Sequence, residues 1–245
     1  MKSGADIQTL LASYPRERAP LSPAHAAVFE AEYRRNRGGQ GGLLAITARL
    51  EAWMHRGVAK GPAGGRLLEI GAGTLNHVPY ERSVAVYDAV EPWQSLWQDS
   101  PNLTAVNHLY KDLAEIENGN QYDRIVSVAV LEHLTDLPSI TARCGLLLAP
   151  AGRFLAGIPS EGGMLWGLAW RLTTGIAYRL RHGIDYGAVM RHEHVNDAAE
   201  IRAVVEYFFH DVAVRRFPLP FFHLSFYTLL EASRPNLERC AAWLA

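Results

Sequence analysis

The sequence predicts an α/β fold, a mostly parallel sheet with helices on both faces and an antiparallel last strand. Three observations support this. From Arg66 to Leu148 short β-rich runs alternate with helix-length stretches, a rhythm that calls for parallel pairing with crossovers. The first run enters a glycine turn, "GRLLEIGAGTLNHVPY" from Gly65 to Tyr80, the kind of turn that opens a ligand crevice at the mouth of such a sheet. The final segment, "HDVAVRRFPLPFFHLSFYTLLEAS", reads as two strands around a Pro-rich connection, most simply an antiparallel pair.

The chain has 245 residues, 49% of them hydrophobic, enough for one such domain with additions. Its 24 basic and 25 acidic residues set up no field that would draw a polyanion, so nucleic acid is not an expected partner. Cys144 and Cys240 lack metal-type spacing and do not suggest a disulfide framework, which fits a reducing cytoplasm. No run approaches the length of a membrane span, so membrane contact is expected to be peripheral at most.

In chain order, residues 1–62 read as an N-terminal helical cap: "ADIQTLLASY", "SPAHAAVFEAEYRRNR" and "GLLAITARLEAWMHRGVA". In the last of these Leu43, Ile46, Leu50, Trp53 and Met54 fall near helical spacing and predict one buried face. The main domain spans 63–235, with strands expected in "RLLEI", "SVAVYDAVE", "LTAVNHLY", "YDRIVSVAV" and "GRFLAGI". An insertion at 160–195 interrupts the pattern. Its Leu165, Leu168, Leu172, Ile176 and Leu180 approximate a helical apolar face, accompanied by Arg171, Arg179 and Arg181. A helix around Asp197–Phe209 follows, and 236–245 is expected as a tail.

The glycine turn narrows the ligand. A helix is expected to start after it, with backbone N–H groups at the crevice. Gly71 and Gly73 permit backbone conformations closed to other residues and let a ligand lie against the main chain. A dinucleotide motif would place a third glycine where Asn76 stands. Glu69, two residues before Gly71, disfavours a phosphate and suits a cationic group. Twenty residues after Gly71, Glu91 ends the second strand, where an acid accepts hydrogen bonds from ribose hydroxyls. Trp93 offers a flat wall for a base, and Asp112 in "YKDLAE" an acceptor for the adenine amino group. An adenosine carrying an amino-acid tail and no phosphate is S-adenosylmethionine.

The series "LEIGAGT", "VEPW", "KDL", "YDRIVSVAVLEHLTD" and "LLLAPAGRFLAGIPS" resembles the class I S-adenosylmethionine-dependent methyltransferases, over residues 65–160 and onward to 233. The resemblance implies a Rossmann-like sheet of seven strands and methyl transfer to a small-molecule acceptor. It implies that Glu69, Gly71, Ala72, Gly73 and Thr74 surround the methionine part of the cofactor. By the same likeness Glu91, Pro92 and Trp93 serve the ribose and base, Asp112 and Leu113 the adenine, and Ala129 and Val130 line the segment after strand four. This chain departs from the pattern at Leu75, where a further glycine is common.

The Asp/Asn-Pro-Pro-aromatic motif of amino-group methyltransferases is absent, since that place reads "AVLEH", and the Pro-Cys pair of cytosine-carbon methyltransferases is missing. The expected acceptor atom is therefore a small molecule's oxygen, such as a hydroxyl on a sugar or related metabolite, with nitrogen or carbon behind it. The stretches "EIGAGTLNHVPYE", "IPSEGGMLWGL" and "GIDYGAVMRHEHVN" are similar to methyltransferases of bacterial surface-polysaccharide pathways, which brings a sugar or lipid-linked sugar into view. His133 in "VLEHL" and His194 in "RHEHVN" are the candidate bases, because imidazole titrates near neutrality. The plainer role for His133 is to shape the pocket, and for Glu132 to cap the adjoining helix. His192 and His194 have the spacing of a metal pair but lack further ligands, so no metal is expected. Tyr33 or Arg37 of "EYRRNRGG" could meet the cofactor carboxylate.

Three readings stand for the insertion: a lid over the pocket, a helix packed on the sheet edge, or an interfacial helix resting on anionic lipid. The rival to an enzyme is a methyltransferase-like fold that binds a ligand or partner without catalysis; a pocket plugged by Trp166 or Phe222 would mark it. A nicotinamide-dependent oxidoreductase is disfavoured by the missing third glycine.

Overall fold

The computed structural model describes residues 4–29, 44–60, 64–82, 84–117, 119 and 121–245. Tyr33, Arg37 and Leu43 lie outside the described residues. The N-terminal helices are α1 (Gly4–Ala12), α2 (residues 23–29) and α3 (Leu44–Val58). Five parallel strands follow: β1 (Arg66–Ile70), β2 (Val86–Val90), β3 (His108–Tyr110), β4 (Tyr122–Val128) and β5 (Leu148–Pro159). The single-turn α4 (Gln94–Trp97) follows β2, and α5 (Leu137–Leu147) crosses from β4 to β5.

After β5 the insertion runs through α6 (Met164–Trp170), a π turn at Arg171–Gly175, α7 (Ile176–His182) and α8 (Tyr186–Glu193). Then come α9 (Ala198–Phe208), β6 (Phe209–Pro218), β7 (Ser225–Pro235) and α10 (Leu237–Leu244). The seven strands lie in the order β3-β2-β1-β4-β5-β7-β6. β7 runs antiparallel to both β5 and β6, as the C-terminal pattern predicts.

Burial on both faces explains why β1 reads as a nearly continuous apolar run. Leu68 and Ile70 join the core beneath α5 and α9, together with Ile125 and Phe154. Leu67 points to the opposite face, where Val126, Leu155 and Leu229 pack with Val58 of α3. A side chain at Gly157 would press on Met54, so glycine there lets α3 lie close against β5. α9 is specified locally as well. Asp197 and Glu200 form a reciprocal capping box, and Ile201, Val204, Val205 and Phe208 form its buried stripe.

Three expectations need correction. Among the described residues no α-helix stands between β1 and β2, which are joined by turns and the 3-10 turn at Val78–Tyr80. Leu75 holds a left-handed backbone (φ 62°), which breaks a helix before it can propagate. The second and third strands are shorter than their apolar runs, and Leu103–Ala105 is a 3-10 turn. Residues 236–245, expected as a tail, form α10 instead. Asn236 caps it, and Cys240 is fully buried where α10 packs on α5. Among the described residues no helix is long and apolar enough to cross a membrane.

Within the insertion, Leu168, Leu172, Ile176 and Leu180 face outward, so this apolar side does not pack on the sheet edge. The inward side carries Trp166, tilted against the Tyr227 ring at 5.7 Å, and Tyr178, against Tyr186 at 4.9 Å.

Candidate functional site

The sheet reverses direction of growth between β1 and β4, and open α/β sheets bind ligands outside the carboxyl ends of strands at such a switch. A cavity of about 460 Å³ lies there. Gly71, Ala72, Gly73 and Thr74 line it after β1, and Ala129 and Val130 line it after β4. Gly71 (φ 69°) and Gly73 (φ 51°) both hold left-handed backbone. They differ in what surrounds them. A Cβ on Gly71 would stand 2.5 Å from a Val130 methyl, whereas one on Gly73 would meet nothing within 4 Å. Bare main chain at Gly73 therefore borders open space. Ala129 also holds positive φ (54°), an uncommon strain in a non-glycine residue that its N–H, donating to the Gly157 carbonyl at 2.7 Å, helps to fix. Leu75 keeps the turn's left-handed shape without the usual glycine because its side chain is wholly buried.

The turn is tied to the tip of β2. Gly71 and Ala72 both donate to the Val90 carbonyl, and Gly73 donates to Glu91 Oε2 at 2.9 Å. Glu91 Oε1 takes the Trp93 N–H at 3.0 Å. A carboxylate has about four acceptor positions, so this buried group retains capacity for ribose hydroxyls. Pro92 and Trp93 stand exposed beside it. Asp112 is exposed at the end of β3 and caps a 3-10 turn through Ala114, while Leu113 anchors that turn in the core.

Glu69 does not line the cavity. Strand alternation turns it to the α3 side of the sheet, where its buried carboxyl accepts the Tyr87 hydroxyl at 2.6 Å and burial pushes it up to about 7.

The opposite wall is rich in histidine and glutamate. His133 donates from Nδ1 to the Glu193 carbonyl at 2.9 Å, which leaves Nε2 as the acceptor of the neutral ring. His194 Nδ1 pairs with the Glu161 carboxylate, so its Nε2 is likewise the base nitrogen. The two rings meet edge to face with centroids 4.8 Å apart, and both line the cavity. His192 turns away, bonding the Ala19 carbonyl at 2.7 Å and packing on Phe29. The metal-type spacing of His192 and His194 therefore produces no shared face.

Asn196 staples this wall together, donating to the carbonyls of Leu131 and Leu134 and accepting from Tyr14 at 2.7 Å. Arg18 donates to the carbonyls of His133, His192 and Glu193. Arg16 holds Val195 and Glu200. The "YPRER" segment thus fixes this wall from the N-terminal part of the chain, a role its spacing does not announce.

His55 on α3 was missed by sequence reasoning, as were the other cavity residues Glu51 and Tyr227. The His55 ring is stacked on Tyr80 and bonded to His77 Nδ1 at 3.0 Å; His77 Nε2 meets Glu81 at 3.0 Å, and Arg124 pairs with Glu81. His77 Nε2 donates to the carboxylate, and one of the two Nδ1 atoms donates to the other across the His55–His77 contact. Burial, then His77, pushes the His55 pKa down to about 4, so the ring is neutral at physiological pH. Sequence spacing gives no signal for a pairing across 22 positions.

These residues fit S-adenosylmethionine better than a phosphate. Among the described residues the cavity lining includes Glu51 and Glu132 and no lysine or arginine. Glu132 is buried, and its Oε2 has no hydrogen-bond partner among the described residues. A buried orphan acceptor of this kind is costly unless a ligand donates to it. Burial pushes the Glu132 carboxyl from 4.5 up to about 7. In the folded chain it then keeps a proton that the unfolded chain has lost. Its contribution to stability is complete below about pH 4.5 and is lost as pH rises through 7. Glu132→Gln is expected to match the parent's melting temperature near pH 4.5 and to exceed it above pH 7 by several degrees, an upper figure of about 3 kcal/mol. Calorimetric scans across this range check the sign: equal melting temperatures at pH 8 would contradict it.

A methyltransferase-domain family model matches residues 42–204. A ubiquinone biosynthesis O-methyltransferase of Rhodopseudomonas palustris is 29% identical over 100 residues, 38% of this chain and 39% of that relative's length. Among solved structures, a methyltransferase of Thermotoga maritima described as a possible histamine N-methyltransferase superposes with a TM-score of 0.57 at 15% identity, covering 83% of this chain and 95% of that one. The N-methyltransferase NodS of Bradyrhizobium japonicum in complex with S-adenosylhomocysteine gives 0.52 at 14% identity, covering 95% and 98%. These structures share the fold, while the family model spans the glycine turn, the strand-four segment and both candidate histidines. The chain belongs to the S-adenosylmethionine-dependent methyltransferases, on the class I fold.

Proposed function

We propose that this chain methylates a hydroxyl of a small polar acceptor, a sugar or related metabolite, with His194 as the base. The observation that carries the reading is the Glu161–His194 pair on the cavity wall opposite the glycine turn. When bound, S-adenosylmethionine supplies an electrophilic methyl carbon on a sulfonium centre. Gly71, Gly73 and Thr74 would hold its amino-acid end, Glu91 its ribose, and Trp93 and Asp112 its base.

The chain's own work is alignment, exclusion of water and removal of a proton. Glu161 fixes the His194 ring with Nδ1 protonated, so Nε2 can receive the proton of an acceptor hydroxyl. Glu132 and His55, both on the cavity wall, hydrogen-bond neighbouring hydroxyls and orient them. A polyhydroxylated molecule suits a wall of this kind, since each acceptor finds a donor, and Trp166 and Tyr227 offer flat faces to its C–H surfaces. The open cavity supports an enzyme over a ligand-binding relative, because Trp166 lines the space without filling it.

The test is incubation with methyl-labelled cofactor and a metabolite extract. The expected product is a base-stable methyl ether on a hydroxylated small molecule. Label recovered only on nitrogen, or only on protein, would overturn the acceptor assignment.

A further inference from the structure

From Met164 to His182, α6, the π turn and α7 form one helical path whose outward face is apolar. Met164, Leu168, Leu172, Ile176 and Leu180 recur every four residues and are 73, 54, 59, 47 and 83% exposed. Four residues of α-helix turn through about 400°, so such a series drifts by about 40° per step. The π turn takes more residues per turn, which offsets part of that drift and keeps the five side chains on one exposed face. The 3-10 turn at Phe222–Leu224 packs against α6, and Leu219, Phe221 and Leu224 extend the apolar surface there. A contiguous patch of this size on an otherwise well-packed chain marks an interaction surface.

Charge identifies the partner. Residues 164–182 contain three arginines and no acid. Arg171 and Arg179 each precede a stripe leucine by one position and Arg181 follows one, so they stand about 100° to either side of the apolar line. All three are exposed. Apolar side chains flanked on both sides by guanidinium groups match a bilayer boundary, where acyl chains lie beneath anionic headgroups. A second copy of the chain fits less well, because symmetric pairing would bring the same positive flanks together. We infer that this face docks on an anionic membrane surface. The inference rests on the surface alone and is independent of the proposed reaction.

Sedimentation of the full chain with phosphatidylcholine vesicles, with and without phosphatidylglycerol, tests it. Binding to the anionic vesicles is expected to be at least about tenfold tighter and to weaken with salt. Replacing Leu168, Leu172 and Leu180 together by serine lowers that binding by about tenfold or more, with the circular dichroism unchanged because the positions are exposed. Each Arg→Gln change at 171, 179 or 181 weakens it by about fivefold. Equal binding to both vesicle types, or binding indifferent to the triple serine variant, overturns the inference. So does a parent dimer in light scattering that the serine variant dissociates, since that outcome assigns the face to a second copy.

Discussion

His194→Ala lowers the turnover number by about 10²–10⁴-fold while S-adenosylmethionine affinity stays within about twofold of the parent. The asymmetry follows from where the side chain sits. His194 lies on the wall opposite the glycine turn, and its Nδ1 is engaged by Glu161, so its removal takes away a proton acceptor without touching the main chain at Gly73. Glu161→Gln should fall between the two, because the amide still accepts the Nδ1 proton but no longer stabilises the imidazolium that forms. His133→Ala should cost less than either, since a backbone carbonyl orients that ring without adding charge. Single-turnover kinetics beside calorimetric cofactor binding separate these cases. Unchanged turnover in His194→Ala would remove it from the mechanism and leave His133 or His55 as the base.

Gly71→Ala is the second large effect, an expected loss of more than about 100-fold in cofactor affinity together with lower stability. A methyl there would meet both Val130 methyls, at 2.5 and 2.6 Å, and would force an L-residue into φ 69°. The left-handed conformation alone costs about 1–2 kcal/mol. The clash adds more, because the β-branched Val130 has few rotamers to escape into. Either the turn or the strand-four segment must move, and both line the cavity. Gly73→Ala provides the contrast. Its Cβ meets no protein atom, so the fold should persist at a cost of about 1–2 kcal/mol for the left-handed backbone, with cofactor affinity reduced because the methyl enters the space beside the bare main chain. Val130→Ala placed in the Gly71→Ala background should recover part of the lost stability. Calorimetry and urea titration read both quantities; a Gly71→Ala chain that binds the cofactor normally would refute the packing argument.

What the sequence disclosed follows a physical division. β1, β4 and β5 were legible because burial on both faces leaves a continuous apolar run, and α9 because its capping box lies within four residues. The glycines and Glu91 were legible because a positive φ and a strand-tip acid each carry their own local signal. The illegible parts depend on partners distant in sequence. Leu75 can replace a glycine only because the core buries its side chain, and α10 is held by α5 nearly a hundred residues earlier. His55 meets His77 and, through it, Glu81, and the orphan oxygen of Glu132 is visible only once its surroundings are in place. Glu69 illustrates the reverse error. Its position next to the turn is striking in one dimension, yet strand alternation directs its carboxyl to Tyr87 and away from the cavity.

A crystal structure of the chain with S-adenosylhomocysteine decides the central claim. The account predicts the nucleoside at the mouth of β1 and β2, its ribose hydroxyls donating to Glu91, its base against Trp93 and its amino-acid tail along Gly73. A ligand bound elsewhere, or Glu91 still closed on Gly73 and Trp93 with no ribose in reach, would contradict it.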